Sequence, residues 1–121
     1  MKKIFVFILL LAVNISLLAQ KKDYKAAVIA FYNLENLFDT LDNTLINDEE
    51  FLPSGPRNYN SEIYFDKLNK LATVISQLGT EMNPDGPAIL GVAEVENDTV
   101  LNDLVRHKLI EKRNYKIVHY D

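Results

Sequence analysis

Asn33 and Glu35 stand two residues apart at the end of one apolar run, and Glu94 and Glu96 stand two apart at the end of another. In extended backbone each such pair projects to one side, leaving Leu34 and Val95 to face a core. Carboxylate and amide oxygens are hard donors, so a site built from these residues would hold magnesium, with manganese or calcium as the alternatives. The chain has no cysteine and only two histidines, His107 and His119. Thiolate zinc sites, cysteine nucleophiles, disulfide scaffolds and lipid attachment through cysteine are therefore excluded, and an imidazole-rich metal site cannot be assembled. Neither histidine has a nearby serine or aspartate arrangement of the kind that activates a nucleophile. Acids that follow strands are also common as solvated loop ends, so spacing alone does not make a site.

The elements that would position these residues can be read from periodicity. Residues 24 to 33, YKAAVIAFYN, form an apolar run of strand length, rich in Val, Ile and aromatic residues. Residues 34 to 60 are dominated by acids and asparagines, are punctuated by Pro53, Gly55 and Pro56, and contain no Lys or Arg before Arg57. This predicts a long acidic loop. Tyr64, Leu68, Leu71, Ile75 and Leu78 recur at spacings of four, three, four and three, which predicts a helix capped by Asn60 or Ser61 and ended by Gly79. After the turn cluster Asn83 to Pro87, residues 88 to 93 read as a fully buried strand. Asn97 or Asp98 then caps a second helix carrying Leu101, Leu104, Val105 and Leu109, and Tyr115 to His119 alternates like a third strand. A strand, helix and strand in this order form a crossover that leaves both strands pointing the same way, so their carboxyl ends share one rim. Ligand sites in α/β sheets favour that rim. Tyr24, Phe31, Tyr32 and Tyr64 read as core residues.

Composition bounds the remaining choices. With 121 residues, 48% of them hydrophobic and 25% charged, the chain suffices for one domain and not two. Its formal charge of −4 does not attract a phosphate backbone through the net field, so such a partner needs a local cation. Arg106, His107, Lys108, Lys112, Arg113 and Lys116 form a basic stretch, which reads more simply as a cationic helix terminus than as a nucleic-acid surface. At the N-terminus, Met1-Lys2-Lys3 precedes an apolar run from Ile4 to Leu18 and a small residue, Ala19, which is the layout of a signal peptide over residues 1–19. These fifteen residues would span about 22 Å as a helix, short of a hydrocarbon core of about 30 Å. Cleavage and export to the periplasm or beyond are expected, with no stable membrane association afterwards.

The segments IAFYNLENLFDT (29–40) and AILGVAEVEN (88–97) resemble the endonuclease/exonuclease/phosphatase superfamily, in particular its exported bacterial endonuclease-like members. The intervening FDKLNKLATVI (65–75) strengthens the resemblance, which covers about Tyr24 to Asp121. It implies an α/β fold in which residues 24–121 are the N-terminal portion of a four-layer sandwich, two sheets flanked by helices. By the same resemblance Asn33 and Glu94 match the family's strand-end positions, Glu94 as ligand of a divalent metal and Asn33 as a phosphate- or water-orienting donor near it. Glu35 matches more weakly and would assist beside the metal. Ala93 departs from the Gln usual before that glutamate. The implied activity is metal-dependent phosphodiester hydrolysis, with nucleic acid as the leading substrate. Phosphatase or lipid phosphodiesterase chemistry on the same fold, and a non-catalytic exported module binding a cation or partner through the acidic loop, are the alternatives.

In the family the general acid–base His and Asp come from segments that resemble nothing here, so these 121 residues are expected to be an N-terminal part, poorly folded and inactive in isolation. For the leader, N-terminal sequencing of exported material should begin at or near Gln20; a chain still starting at Met1 would overturn the reading.

Overall fold

A computed structural model describes residues 24–120. The signal-peptide expectation for residues 1–19 lies outside the described residues. Strand β1 (Ile29–Leu37) is followed by a long connection containing a 3₁₀ turn (Glu49–Phe51), then helix α1 (Ser61–Gln77), strand β2 (Ile89–Val95), helix α2 (Asp98–Val105) and a second 3₁₀ turn (Glu111–Arg113). The two strands pair in parallel, from Ile29 opposite Ile89 to Asn33 opposite Ala93, so the β1–α1–β2 crossover expected from the sequence is present.

The sheet lays one face on the helices. Leu34 and Leu37 of β1 are fully buried against Leu68, Leu71 and Ile75 of α1 and Val100 and Leu104 of α2, with Leu90, Val92 and Val95 of β2 packed beside them. Burial of these side chains is the main favourable term available to the fold, roughly 1.5–3 kcal/mol for each large aliphatic residue. The opposite face is open: Ile29, Phe31 and Ile89 are exposed. The expectation of a strand buried on both faces at 88–93 is thus corrected, because among the described residues only one layer covers the sheet. Tyr64 and Tyr32 join the core or pack on it, whereas Tyr24 and Phe31 do not.

Asparagine caps both helices. The Asn60 side chain accepts from Ile63 N–H and the Asn97 side chain from Val100 N–H, each at 3.1 Å, satisfying one orphan donor of the first turn. Helix α1 stops where expected, because Gly79 adopts φ +67° and a Cβ there would lie 2.6 Å from a methyl of Val28. Several boundaries move, among them those of β2, which runs from Ile89 to Val95 and not from 88 to 93. Strand β1 begins at Ile29 and not at Tyr24, and it continues past Asn33 to Leu37. Helix α2 ends at Val105, short of Leu109, because the chain turns at His107 to bury Ile110 and leaves Leu109 exposed. Residues 115–119 keep the alternating burial of a strand but form no ladder, since no neighbouring strand accepts their backbone among the described residues.

The basic stretch has a structural use. Arg113 donates through Nη1 to the Ile75 carbonyl at 2.8 Å and through Nη2 to the Ser76 carbonyl at 2.7 Å, capping the C-terminal turn of α1. A guanidinium there adds a donor to the Ile75 carbonyl, which also takes the Leu78 N–H, and to the Ser76 carbonyl, and it complements the negative end of the helix dipole. Arg113→Met in the intact protein should lower the unfolding free energy by about 1–3 kcal/mol in urea titrations. Exposed Lys112→Met should stay within about 0.5 kcal/mol of wild type, and equal effects at the two positions would contradict the cap.

Candidate functional site

The carboxyl ends of β1 and β2 do not run out as ideal extended chain. Asn33 pairs with Ala93 and Leu37 with Val95, so four residue steps on β1 face two on β2. The surplus is absorbed by a bulge in which Glu35 and Asn36 adopt φ of 53° and 59°, and Glu94 across from it adopts 56°. Left-handed backbone costs a non-glycine residue roughly 1–2 kcal/mol, and such conformations concentrate at functional sites. The bulge also breaks the simple alternation that would have aimed Asn33 with Glu35, and Glu94 with Glu96, to common sides.

A directional chain of hydrogen bonds runs through this kink. The Glu35 N–H donates to Asn33 Oδ1 at 2.8 Å, and Asn33 Nδ2 donates to Glu94 Oε1 at 2.8 Å, tying the ends of the two strands together. From α1, Lys67 Nζ donates to the Glu35 carbonyl and, at 2.8 Å, to the Asn36 carbonyl. Burial pulls the Lys67 ammonium below the ordinary lysine value, Glu35 and Glu94 oppose that shift, and Arg57 adds to it. Asn33, Glu35, Glu94 and Lys67 therefore form one electrostatic group. Lys67 was not among the residues singled out from sequence. Its signal was position, since it lies three residues after Tyr64 and four before Leu71, a lysine beside the inward stripe of an amphipathic helix.

Glu96 goes elsewhere. Its Oε2 accepts from the Asp39 N–H at 2.8 Å, pinning the start of the acidic connection to the end of β2. That connection is packed: Phe38 stacks on Phe51 at 4.2 Å, Tyr59 meets Phe51 edge-on, and Arg57 lies over the Phe51 ring. Asp48 is only 2% exposed and accepts from the Asn43 N–H, so the loop is built around an inward acid as well as aromatic rings. Among the described residues no three His, Cys, Asp or Glu side chains are grouped so as to hold a metal ion by themselves. A cleft of about 570 Å³ between α2 and residues 114–119 includes His119 but neither Asn33 nor Glu94, and it is not the strand-end site.

A sequence model described as the endonuclease/exonuclease/phosphatase family matches residues 28–121. The chain belongs to this family. No match is found among curated proteins or among solved structures. Members of the endonuclease/exonuclease/phosphatase family are in general phosphoester hydrolases that commonly use divalent metals, and the mixed α/β architecture, a sheet with two helices, agrees with that family. The matched span includes both strand ends, with Asn33 and Glu94 in contact and Lys67 against the same bulge.

Burial holds the Glu96 carboxyl above the usual glutamate range; the Asp39 amide pulls the other way, and the charges of Asp39 and Asp48 push it up further. The folded state thus keeps this proton more tightly than the unfolded chain, a contribution present at low pH and lost as pH rises through the raised value. Glu96→Gln retains an oxygen that can accept from Asp39 N–H and removes that loss. The variant's thermal midpoint, relative to wild type, should therefore rise from about pH 4 to about pH 7. A pH-independent difference would contradict the assignment.

Proposed function

We propose that this protein is an exported, divalent-metal-dependent phosphodiesterase that cleaves nucleic acid, with Mg2+ as its ion. The observation that carries the reading is the Asn33–Glu94 hydrogen bond across the ends of two parallel strands, inside the span matched by a family of phosphoester hydrolases. The donor chemistry fits magnesium. Glu94 presents an exposed carboxylate beside an amide and backbone carbonyls, with no thiolate or imidazole in the group. Magnesium is commonly held by one or two carboxylates, keeps several waters and shares substrate phosphate, so a closed cage of protein acids is not required. Mn2+ and Ca2+ fit the same hard oxygens less selectively.

In this reading Glu94 is the direct ligand. When bound, the metal neutralises charge on the phosphate as it is attacked. Asn33 acts as donor: its oxygen already takes the Glu35 N–H, so its Nδ2 is turned toward Glu94, where it orients the carboxylate or a phosphate oxygen. Glu35 contributes negative charge beside Lys67. Nucleic acid is preferred to a monoester or lipid headgroup on family resemblance and the export signal. Arg113 does not support a broad basic surface, since its guanidinium is engaged by α1. Among the described residues no helix is long and apolar enough to cross a bilayer.

Glu94→Gln in the intact protein keeps an oxygen for Asn33 Nδ2 but removes the charge. Mg2+-dependent cleavage of DNA and RNA should fall by more than about a hundred-fold with the circular dichroism unchanged, a larger loss than is usual for residues that only support a ligand. Wild-type turnover by the variant would remove Glu94 from the reaction, and wild-type hydrolysis confined to phosphomonoesters or lipids would overturn the substrate class.

A further inference from the structure

Two consecutive left-handed residues aim main-chain carbonyls into the same region as two carboxylates, an arrangement that concentrates negative potential. The Glu35 and Asn36 carbonyls both accept from Lys67 Nζ, and the Glu35 and Glu94 carboxylates both act electrostatically on the same ammonium. Lys67 is partly buried, and two of its three ammonium protons are committed to the bulge. Its ammonium is held to the main chain, from a helix whose next turn is anchored in the core by Leu68, Leu71 and Ala72. The neighbouring Lys70 shows the contrast, being exposed and paired with Asp66 along the outer side of the helix.

The consequence reaches Glu94 through the amide. The Glu35 peptide that supplies a carbonyl to Lys67 belongs to the residue whose own N–H donates to Asn33 Oδ1. With that oxygen engaged, the amide presents Nδ2 to Glu94; were the bulge to relax, the amide could turn over and place an oxygen against the carboxylate, which is repulsive. From this geometry we infer that Lys67 is a positioning residue of the metal site, whose ammonium fixes the left-handed Glu35–Asn36 turn and thereby sets the direction in which Asn33 holds Glu94. The inference rests on the reading of Glu94 as a metal ligand and adds to it a control exerted from helix α1.

The test uses the intact protein without substrate, with Mn2+ as the probe, its affinity read by electron paramagnetic resonance, and with the Asn33 side-chain amide followed by 15N nuclear magnetic resonance. Lys67→Met should bind Mn2+ about ten-fold more weakly, in the range seen when groups that orient a metal ligand are removed. The Asn33 amide resonance should move with it, and Lys67→Arg, which can donate to both carbonyls, should recover most of the affinity. A lysine with a merely structural role would lower the thermal midpoint while leaving the Mn2+ affinity of the folded protein and the Asn33 resonance at wild-type values, and that result overturns the inference. If Lys67→Met does not fold, the wild-type protein decides: scalar couplings across hydrogen bonds from Lys67 Nζ to the Glu35 and Asn36 carbonyl carbons support the assignment, and their absence overturns it. Glu94→Gln separates the two levels. Unchanged Mn2+ affinity in that variant overturns the metal reading itself, whereas loss of binding there with none in Lys67→Met overturns only the role of Lys67.

Discussion

An asparagine side chain has one oxygen and one amide nitrogen, so engaging the oxygen decides what the nitrogen must face. At Asn33 the oxygen takes the Glu35 N–H, and the nitrogen is left to donate to Glu94 on the neighbouring strand. This single polarity links local backbone to tertiary structure. The Glu35 N–H reaches back to Asn33, the chain is left-handed at Glu35 and Asn36, and this turn falls where the two strands lose register. A regular ladder would have kept the strands straighter and more stable, and it would have sent successive side chains to opposite faces. The bulge gives up ladder hydrogen bonds and accepts backbone strain at three residues, which the core beneath must offset. Leu34 and Leu37 bracket the strained residues and are fully buried, so the same segment that carries the strain is anchored on both sides.

The acids at this end of the sheet are divided by that anchoring. Glu94 remains exposed and tied to Asn33, while Glu96, two residues later, leaves the strand and receives the Asp39 N–H. Separating the two carboxylates limits the repulsion that would build up if both lined one pocket. It also gives the long connection after β1 a fixed starting point, from which Phe38, Phe51 and Tyr59 assemble a small aromatic layer beside the main core. An acidic composition over residues 34–60 therefore conceals an ordered segment, held by rings that a count of charges does not weigh.

Much of this was legible because the signals were periodic. The spacing of Tyr64, Leu68, Leu71 and Ile75 places them together in the core, and the asparagines before each helix cap it. The order strand, helix, strand is enough to bring Asn33 and Glu94 to one rim, and they are in contact there. What could not be read was backbone of the wrong hand. Glu35, Asn36 and Glu94 are residues for which nothing local demands positive φ, and only the mismatch of two strands in space imposes it. Leu109 failed for a related reason: helical spacing continued, but burial of Ile110 offered more than another half turn. Residues 115–119 alternate correctly, yet a strand is a relation between two segments and periodicity describes one.

The charge balance of the strand-end group bears on what it can attract. Glu35 and Glu94 carry two negative charges and Lys67 one positive, with two backbone carbonyls turned to the same ammonium. A phosphodiester approaching such a group meets a net negative field that the lysine does not cancel, and the overall charge of −4 adds to the repulsion. The divalent cation proposed beside Glu94 would change the sign of the local sum to positive, making hard oxygen donors and an anionic substrate compatible in one place. In that proposed reading the lysine would not be redundant with the metal. Its charge is spent on the carbonyls of the bulge, which leaves the carboxylate of Glu94, turned outward and oriented by Asn33, as the group on which a second cation can act.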